Sequence, residues 1–272
     1  MNRRILNLAK TQGITALVTT KGTTLSTDML AALRKMGIRT LNWFPENIHH
    51  TTYTNWLAKH YQDYDYFLSF DPAVEQFYPS TEKTKVAYLP FGIAPSAFQA
   101  TLRSEDQERY TCDVCFAGAP YPERVELLQG IAQMGVSLKI FGWEGWLKTP
   151  LAPFYHGALT TEELAKLYRT ARISLNTNLW PVNSGANVRT FEIPASRGFQ
   201  ICDAQDDLPN LFIPGKEIVV FSDFADLKEK ITYYLQHTQE RDAIAEAGFQ
   251  RVIRDHTFDQ RAAHILGLIQ NQ

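Results

Sequence analysis

The sequence lacks three features that would point to a function class at once: a long apolar run, an excess of basic residues and a rich set of cysteines. No apolar stretch approaches the roughly 20 residues that a membrane-spanning helix needs. The N-terminal segment MNRRILNLAKTQGIT has no apolar core or cleavage site of a signal peptide. The 27 basic and 29 acidic residues are spread along the chain, which argues against a nucleic-acid or anionic-membrane surface. We therefore expect a cytoplasmic protein with no transmembrane segment and no nucleic-acid partner.

The three cysteines are Cys112, Cys115 and Cys202, and the first two form a C-x-x-C pair. Such a pair can hold zinc or carry redox chemistry, but no second pair completes a four-ligand site. The surrounding TCDVCFAG is typical of a buried strand, on which residues three apart point to opposite faces. We therefore expect core thiols and no metal site.

Apolar strands alternate with helical patterns over most of the 272 residues. The strands are predicted at 14–20, 38–44, 64–70, 85–91, 112–118, 136–142, 173–178, 199–203 and 217–221. Strands separated by helices indicate crossover connections and parallel sheets. The fold class is α/β, with two doubly wound, Rossmann-like halves and a cleft in which ligands bind.

The least patterned stretch is GIAPSAFQATLRSEDQERY, which suggests a boundary between domains. We predict a first domain over 1–95, a linker over 96–110 and a second domain over 111–256. The final segment, 257–272, is predicted to be a helix that packs back on the first domain.

The segment SGANVRTFEIPASRGFQICD places a flexible turn before a predicted helix over 188–197. Gly185 allows close backbone approach, the amides of Ala186, Asn187 and Val188 lie at the helix start, and the helix dipole favours an anion there. Arg189 adds a positive charge. The alternative is an ordinary helix start with a surface arginine, since such ends often bind only water.

Four segments of the second half together resemble one family: DVCFAGAPYPERVELL, YHGALTTEELAKLYRTARISLN, NVRTFEIPASRGFQICD and FIPGKEIVVFSDFADLKEKITYYL. The family is the CgeB-like (spore maturation protein-like) group of GT-B glycosyltransferases. MGIRTLNWFPEN, FLSFD and VAYLPFGIAP in the first half are also similar to it. The resemblance implies two Rossmann-like domains, a nucleotide-sugar donor on the second, an acceptor on the first, and no metal cofactor. The first domain shows only about four strands, so it is expected to be shortened.

The resemblance also implies roles on the donor side. Glu192 matches a glutamate that bonds the ribose, and Arg124 matches a diphosphate clamp, so Arg124 and Arg189 would bracket the leaving group. Gly118 frees the backbone at a strand end. Alternatives are a solvent-facing glutamate and an i,i+4 surface arginine.

Further donor contacts are predicted in the loops that follow two strands. Trp143 and Trp146 in FGWEGW lie where the family recognises the base, although a hydrophobic cluster under a loop explains them equally well. His156 could border the base or the diphosphate, but a lone histidine is usually structural. Many retaining relatives carry a further glutamate where this chain has Ser184, and Asn183 could replace its contact.

On the acceptor side, NWFPENIHH places Glu46, His49 and His50 after a strand, and Asp71 follows FLSF. One of them could serve as general base. The simpler alternatives are solvated loop residues, and for Asp71 a helix cap. Asp63-Tyr64-Asp65 fits a metal-binding D-x-D pattern but precedes its strand, so we interpret it as a turn.

Two functions remain in view from the sequence. One is an active glycosyltransferase that moves a sugar to an acceptor hydroxyl. The other is a weak or inactive nucleotide-sugar-binding module that acts with a partner subunit. The acceptor is unknown in both cases, and a homo-oligomer is compatible with either.

Overall fold

Two separate parallel sheets organise the computed structural model, which describes residues 1–178 and 184–270. The first unit contains residues 1–91, 184–186 and 261–270. The second contains residues 92–178 and 187–260. All nine predicted strands are present, so the two-sheet α/β fold class is confirmed.

The first unit is built on four parallel strands in the order β1-β2-β3-β4. The strands are β1 (Ala16–Thr20), β2 (Arg39–Phe44), β3 (Tyr66–Ser69) and β4 (Lys85–Tyr88). The helices are α1 (Asn2–Thr11), α2 (Thr27–Lys35), α3 (Thr51–His60) and α4 (Val74–Phe77), with a 3-10 turn over Tyr61–Asp63. Ser26 caps α2 through its hydroxyl. Since each strand pairs with its successor, this sheet is singly wound, and the expectation of two doubly wound halves was wrong for the first.

A singly wound sheet sends its right-handed crossovers to one face and leaves the other face to be covered by something else. Phe44, Phe67 and Val86 face the crossover helices in one apolar cluster. On the opposite face, Leu41, Trp43, Tyr66 and Leu68 pack with Ile265 of the last helix. This is α12 in chain order (Phe258–Gln270), and the Tyr66 hydroxyl donates to the carbonyl of Leu268 at 2.7 Å. The last helix therefore supplies the second layer of this unit.

The second unit holds five parallel strands in the order β6-β5-β7-β8-β9. They are β5 (Val114–Gly118), β6 (Leu138–Gly142), β7 (Ile173–Asn176), β8 (Gln200–Asp203) and β9 (Val219–Phe221). Its helices are α5 (Ser104–Tyr110), α6 (Pro122–Ala132), α7 (Thr161–Thr170), α8 (Arg189–Ala195), α9 (Leu208–Leu211), α10 (Phe224–Gln236) and α11 (Thr238–Asp255). The strand order reverses at β5, because β6 lies on one side of it and β7 on the other. Apolar clusters cover both faces, as a doubly wound sheet requires.

Residues 96–110, predicted as a linker, carry ordered structure in the second unit. A 3-10 turn over Pro95–Phe98 and helix α5 bury Phe98 and Tyr110. Arg169 of α7 donates to the carbonyl of Ala100 at 3.1 Å. The helix was missed because its sequence, SEDQERY, is almost entirely polar.

The three cysteines are free and buried, which confirms the expectation of core thiols. Cys112 and Cys115 share one apolar cluster, however, and do not face opposite sides of the sheet. The strand begins at Val114, so Cys112 precedes it and strand alternation does not apply. In the described part of the chain no helix combines the length and the apolar character needed to cross a bilayer.

Candidate functional site

The strand-order reversal of the second sheet places the carboxyl ends of β5 and β7 side by side, where α/β sheets bind ligands. Arg124 of α6 spans these two ends. Its Nε donates to Thr177 Oγ1 at 3.1 Å and its Nη2 to the carbonyl of Thr177 at 2.8 Å. The guanidinium lies 5.0 Å from the centre of the Tyr121 ring. Arg124 is therefore not a free surface side chain but a fixed part of the strand ends.

Arg189 is the first residue of α8 and reaches the same end of β5. Its Nε donates to the carbonyl of Ala117 at 3.2 Å, and its Nη1 donates to Glu192 Oε2 at 2.6 Å. The Glu192 side chain is 13% exposed and that of Arg189 33%. Gly118 is close to Arg124: a Cβ there would lie 2.9 Å from the Phe116 ring and 3.4 Å from Arg124 Nη1. The structure thus brings together the predicted residues Gly118, Arg124, Arg189 and Glu192.

Two guanidinium groups lie near one another in this group, together with the carboxylates of Glu192 and Asp203. Burial lowers the pKa of the Arg124 guanidinium because desolvation disfavours the charged form, and the nearby Arg189 lowers that pKa further. Tyr121 and Asp203 act in the opposite direction. Arginine stays charged in proteins, so two guanidinium groups near one another repel. An anion bound beside both would relieve that repulsion.

A buried hydrogen-bond network joins the ends of β7 and β8 to the start of α8. Most of it was not predicted from the sequence. Asp203 accepts from the backbone amide of Asn178 at 2.8 and 3.0 Å. Asn178 Oδ1 accepts from the amide of Asn187 at 3.2 Å, and Asn187 Nδ2 donates to Asn176 Oδ1 at 2.9 Å. The signal was the polar run Asn176-Thr177-Asn178 directly at the end of a strand.

This network changes the interpretation of the helix start. The amide of Asn187 is bound to Asn178, and Asn187 Oδ1 accepts from the amide of Thr190 at 3.2 Å. The expectation that the Asn187 amide is open to a ligand was therefore wrong, because the protein itself occupies it. Ala186 is also buried. Helix α8 begins at Arg189 rather than 188 and ends at Ala195.

Gly185 lies in the first unit, against the residues that follow β3. A Cβ at this position would lie 2.5 Å from the carbonyl oxygen of Phe70. The adjacent Ser184 donates its hydroxyl to Asp71 Oδ1. The close approach that requires glycine is therefore made by protein backbone, which corrects the predicted ligand contact of Gly185. Asn183 lies outside the described residues.

A cavity of about 240 Å³ opens beside β5 and β6, with Gly118, Gly142, Trp143 and Arg189 among its lining residues. Trp143 is 64% exposed, so its ring face is accessible. Trp146 is fully buried and its indole nitrogen donates to the carbonyl of Gly118 at 2.8 Å. Trp146 is therefore part of the hydrophobic core, whereas Trp143 lines the cavity.

His156 follows an isolated bridge to β6 and is not among the residues lining that cavity. Its ring lies 5.6 Å from that of Phe141, and burial lowers its pKa.

A larger cavity of about 560 Å³ lies between α6 and Phe224. It is lined by Glu123 and Glu126 without a basic partner, so we assign the anion site to the strand ends.

On the first unit, the structure brings His49 and Asp71 together. His49 Nε2 lies 3.2 Å from Asp71 Oδ2, and Asp71 Oδ1 accepts from the amide of Ala73 at 2.9 Å. His50 instead caps α3, since its Nδ1 accepts from the amide of Thr52 at 3.2 Å. Within the described residues no group of three or more potential ligands is arranged to hold a metal ion.

The Asp63-Tyr64-Asp65 pattern is a turn before β3, as predicted. Asp65 Oδ2 accepts from the amide and the hydroxyl of Thr40 at 2.8 and 2.9 Å, and Asp65 Oδ1 pairs with Arg34. These contacts connect Asp65 to α2 and β2, so the role of its carboxylate is structural.

Comparison with known proteins agrees with this architecture. The spore protein CgeB of Bacillus subtilis (strain 168) is 25% identical and aligns with 74% of this chain and 67% of its own length. Sucrose-phosphate synthase from Thermosynechococcus elongatus superposes with a TM-score of 0.71 at 14% identity, covering 99% of this chain and 76% of that one. HepE of Anabaena, solved in complex with UDP, gives 0.70 at 12% identity, covering 98% and 81%.

Residues 124–267 match the family described as glycosyl transferase-like. This range is more than half of the 272 residues and contains Arg124, Arg189 and Glu192. The predicted resemblance to the CgeB-like group of GT-B enzymes is thereby confirmed. The chain belongs to the glycosyl transferase-like family and has the GT-B fold.

Proposed function

We propose that the chain transfers a sugar from a nucleoside-diphosphate donor to an acceptor hydroxyl. One observation carries the proposal: Arg124 and Arg189 both reach the carboxyl end of β5, where Arg124 Nη1 donates to the carbonyl of Ala119 at 3.4 Å and Arg189 Nε donates to the carbonyl of Ala117 at 3.2 Å. In the reaction the bond between the anomeric carbon and the diphosphate oxygen breaks and a bond to the acceptor oxygen forms. Negative charge builds on the departing diphosphate, and two fixed guanidinium groups stabilise it.

The remaining donor contacts follow from the same geometry. Glu192 is proposed to exchange its bond to Arg189 for the vicinal hydroxyls of the ribose, because a carboxylate accepts two such bonds. Trp143 offers an accessible ring face to the base. Uridine diphosphate is the donor product to test first, because HepE was solved with UDP. The guanidinium pair takes the place of a divalent metal in this proposal.

On the acceptor side we propose His49 as the group that takes the acceptor proton. Asp71 is fully buried and its Oδ2 lies 3.2 Å from His49 Nε2, so it fixes the orientation of the imidazole. His50 is excluded from this role by its bond to the amide of Thr52. The donor is proposed to bind to the second unit, which contains the predicted donor domain over 111–256 together with residues 92–110.

The test is incubation of the purified chain with a panel of UDP-sugars and measurement of UDP release. Release is expected to persist in EDTA and to fall at least a hundredfold in Arg189→Ala and Arg124→Ala, since each removes a charge-assisted contact worth about 3 kcal/mol in the transition state. Arg103→Ala is the matched control, because the Arg103 side chain is 73% exposed and forms a surface ion pair with Glu105. Unchanged release in both variants would refute the proposal.

The second candidate, a binding module that acts with a partner subunit, shares the donor contacts but not the turnover. It predicts that UDP raises the thermal midpoint of the chain while no UDP-sugar is consumed. A loss of that stabilisation in Arg189→Ala, without any release by the wild type, would favour the module.

A further inference from the structure

Lys21 stands in an unusual backbone conformation directly after β1. Its φ is +65°, in the left-handed region that side chains other than glycine and asparagine rarely adopt. The next residue, Gly22, has a φ of +64°. Strained residues of this kind persist where the surrounding structure imposes them, and they concentrate at functional sites.

The surroundings hold this turn at several points. The amide of Lys21 donates to the carbonyl of Trp43 at 3.2 Å, and its carbonyl accepts from Asn42 Nδ2 at 3.2 Å. The carbonyl of Gly22 accepts from the Tyr64 hydroxyl at 3.1 Å. Glycine would fit the backbone at position 21 without strain, so the reason for a lysine lies in its side chain.

That side chain organises a group of three polar residues at the carboxyl ends of β1 and β2. Lys21 Nζ lies 2.7 Å from Glu46 Oε1 and 2.8 Å from the Tyr53 hydroxyl. The Tyr53 ring packs edge-on against Phe44 at 5.5 Å, so its position is fixed by the core. The side chains of Lys21 and Glu46 are 42% and 37% exposed, so the group lies at the protein surface.

The chemistry of the group selects one class of ligand. One ammonium and one carboxylate cancel in charge, so neither an anion nor a cation is favoured over a neutral molecule. Donors and acceptors alternate within about 3 Å of each other, which matches adjacent hydroxyls that both donate and accept. We propose that Lys21, Glu46 and Tyr53 form a binding site for a neutral saccharide. This inference rests on the proposed function, in which such a saccharide is the acceptor.

The proposal is tested by binding of the labelled full chain to an array of neutral oligosaccharides and their sulfated counterparts, with and without UDP. We expect binding to neutral members only, and at least tenfold weaker binding in Lys21→Met and Glu46→Gln. Lys59→Met is the matched control, because Lys59 is an exposed lysine on α3 of the same unit. UDP affinity is expected to be the same in all four proteins.

Failure of this inference is distinct from failure of the proposed function. Wild-type chain that releases UDP from a UDP-sugar but binds no neutral saccharide overturns the inference alone. Lys21→Gly gives a second measurement, because it removes the backbone strain together with the ammonium group. We expect its thermal midpoint to equal or exceed that of the wild type while saccharide binding is lost. A lower midpoint with unchanged binding would assign Lys21 to the fold and overturn the proposal.

Discussion

Breaking the ion pair between Arg189 and Glu192 is expected to strengthen the binding of pyrophosphate and to weaken the binding of UDP. In the structure these two side chains satisfy each other, with 2.6 Å between Arg189 Nη1 and Glu192 Oε2. If the donor is bound as proposed, Arg189 turns to the diphosphate and Glu192 to the ribose. The variant Glu192→Gln therefore frees the arginine but weakens the ribose contact. Pyrophosphate, which has no ribose, reports only the first effect, and UDP reports both.

The magnitudes follow from the burial of the pair. The side chain of Arg189 is 33% exposed and that of Glu192 is 13% exposed. An ion pair with this burial has an interaction free energy of about 1 kcal/mol. Pyrophosphate is then expected to bind Glu192→Gln about fivefold more tightly than the wild type, since 1.4 kcal/mol corresponds to about a tenfold change. The loss of charged hydrogen bonds to the ribose costs about 2 kcal/mol. The net effect on UDP is about 1 kcal/mol, which corresponds to about fivefold weaker binding.

Isothermal titration calorimetry with each ligand, in metal-free buffer, measures both effects on the same protein. Glu246→Gln is the matched control, since Glu246 pairs with Arg197 on the surface of the same unit and both side chains are close to half exposed. The control is expected to leave both affinities unchanged. Tighter binding of UDP as well as pyrophosphate to Glu192→Gln would refute the ribose contact, and unchanged binding of both would place Arg189 away from the phosphates.

Three further predictions concern the support of the site and the core. Thr177→Val removes the acceptor of Arg124 Nε and is expected to weaken UDP binding in calorimetry by about tenfold, whereas Thr177→Ser restores it; equal affinities would contradict this. Tyr168→Phe deletes a buried hydroxyl that has no hydrogen-bond partner in the described residues, so urea unfolding should show a gain of about 1 kcal/mol; a loss would reveal a partner. Gly142→Ala is expected to lower the free energy of unfolding by about 2–3 kcal/mol in the same assay, because φ is +120° and the new Cβ would lie 2.5 Å from the carbonyl oxygen of Gly118. Gly135→Ala is the control. Its φ is +75° and no atom lies near the new Cβ, so the expected loss is only about 1 kcal/mol.

The strands were predictable because each is a short apolar run between polar or glycine-containing turns. Their ends were set slightly too wide. The fifth was predicted at 112–118 and is observed at Val114–Gly118, because Cys112 belongs to the buried approach to the strand. Buried residues on either side of a strand carry the same apolar signal as the strand itself, so composition alone does not mark where the ladder begins.

Contacts between distant parts of the chain were not predictable. Asp71 and Ser184 are 113 positions apart, and nothing in either local sequence indicates that they meet. The requirement for glycine at position 185 was correctly recognised, but its cause is the backbone of Phe70 rather than a ligand. The pairing of Arg124 with Arg189 at one site was implied by the resemblance to the CgeB-like group, and both residues belong to helices that follow strands of the same parallel sheet. Their common target, the end of β5, was visible only in the structure.

The two sheets differ in strand order, and the difference bears on where each can bind a ligand. In the second sheet the order reverses at β5, and the reversal itself creates a crevice between the ends of β5 and β7 into which Arg124 reaches. In the first sheet each strand lies beside its successor in the chain, so the strand order does not reverse and creates no crevice of this kind. A ligand site there must be built from side chains on the loops. The left-handed Lys21, held against Glu46 and Tyr53, is such a construction, and a conformation of this kind is a property of the folded backbone that no local sequence pattern specifies.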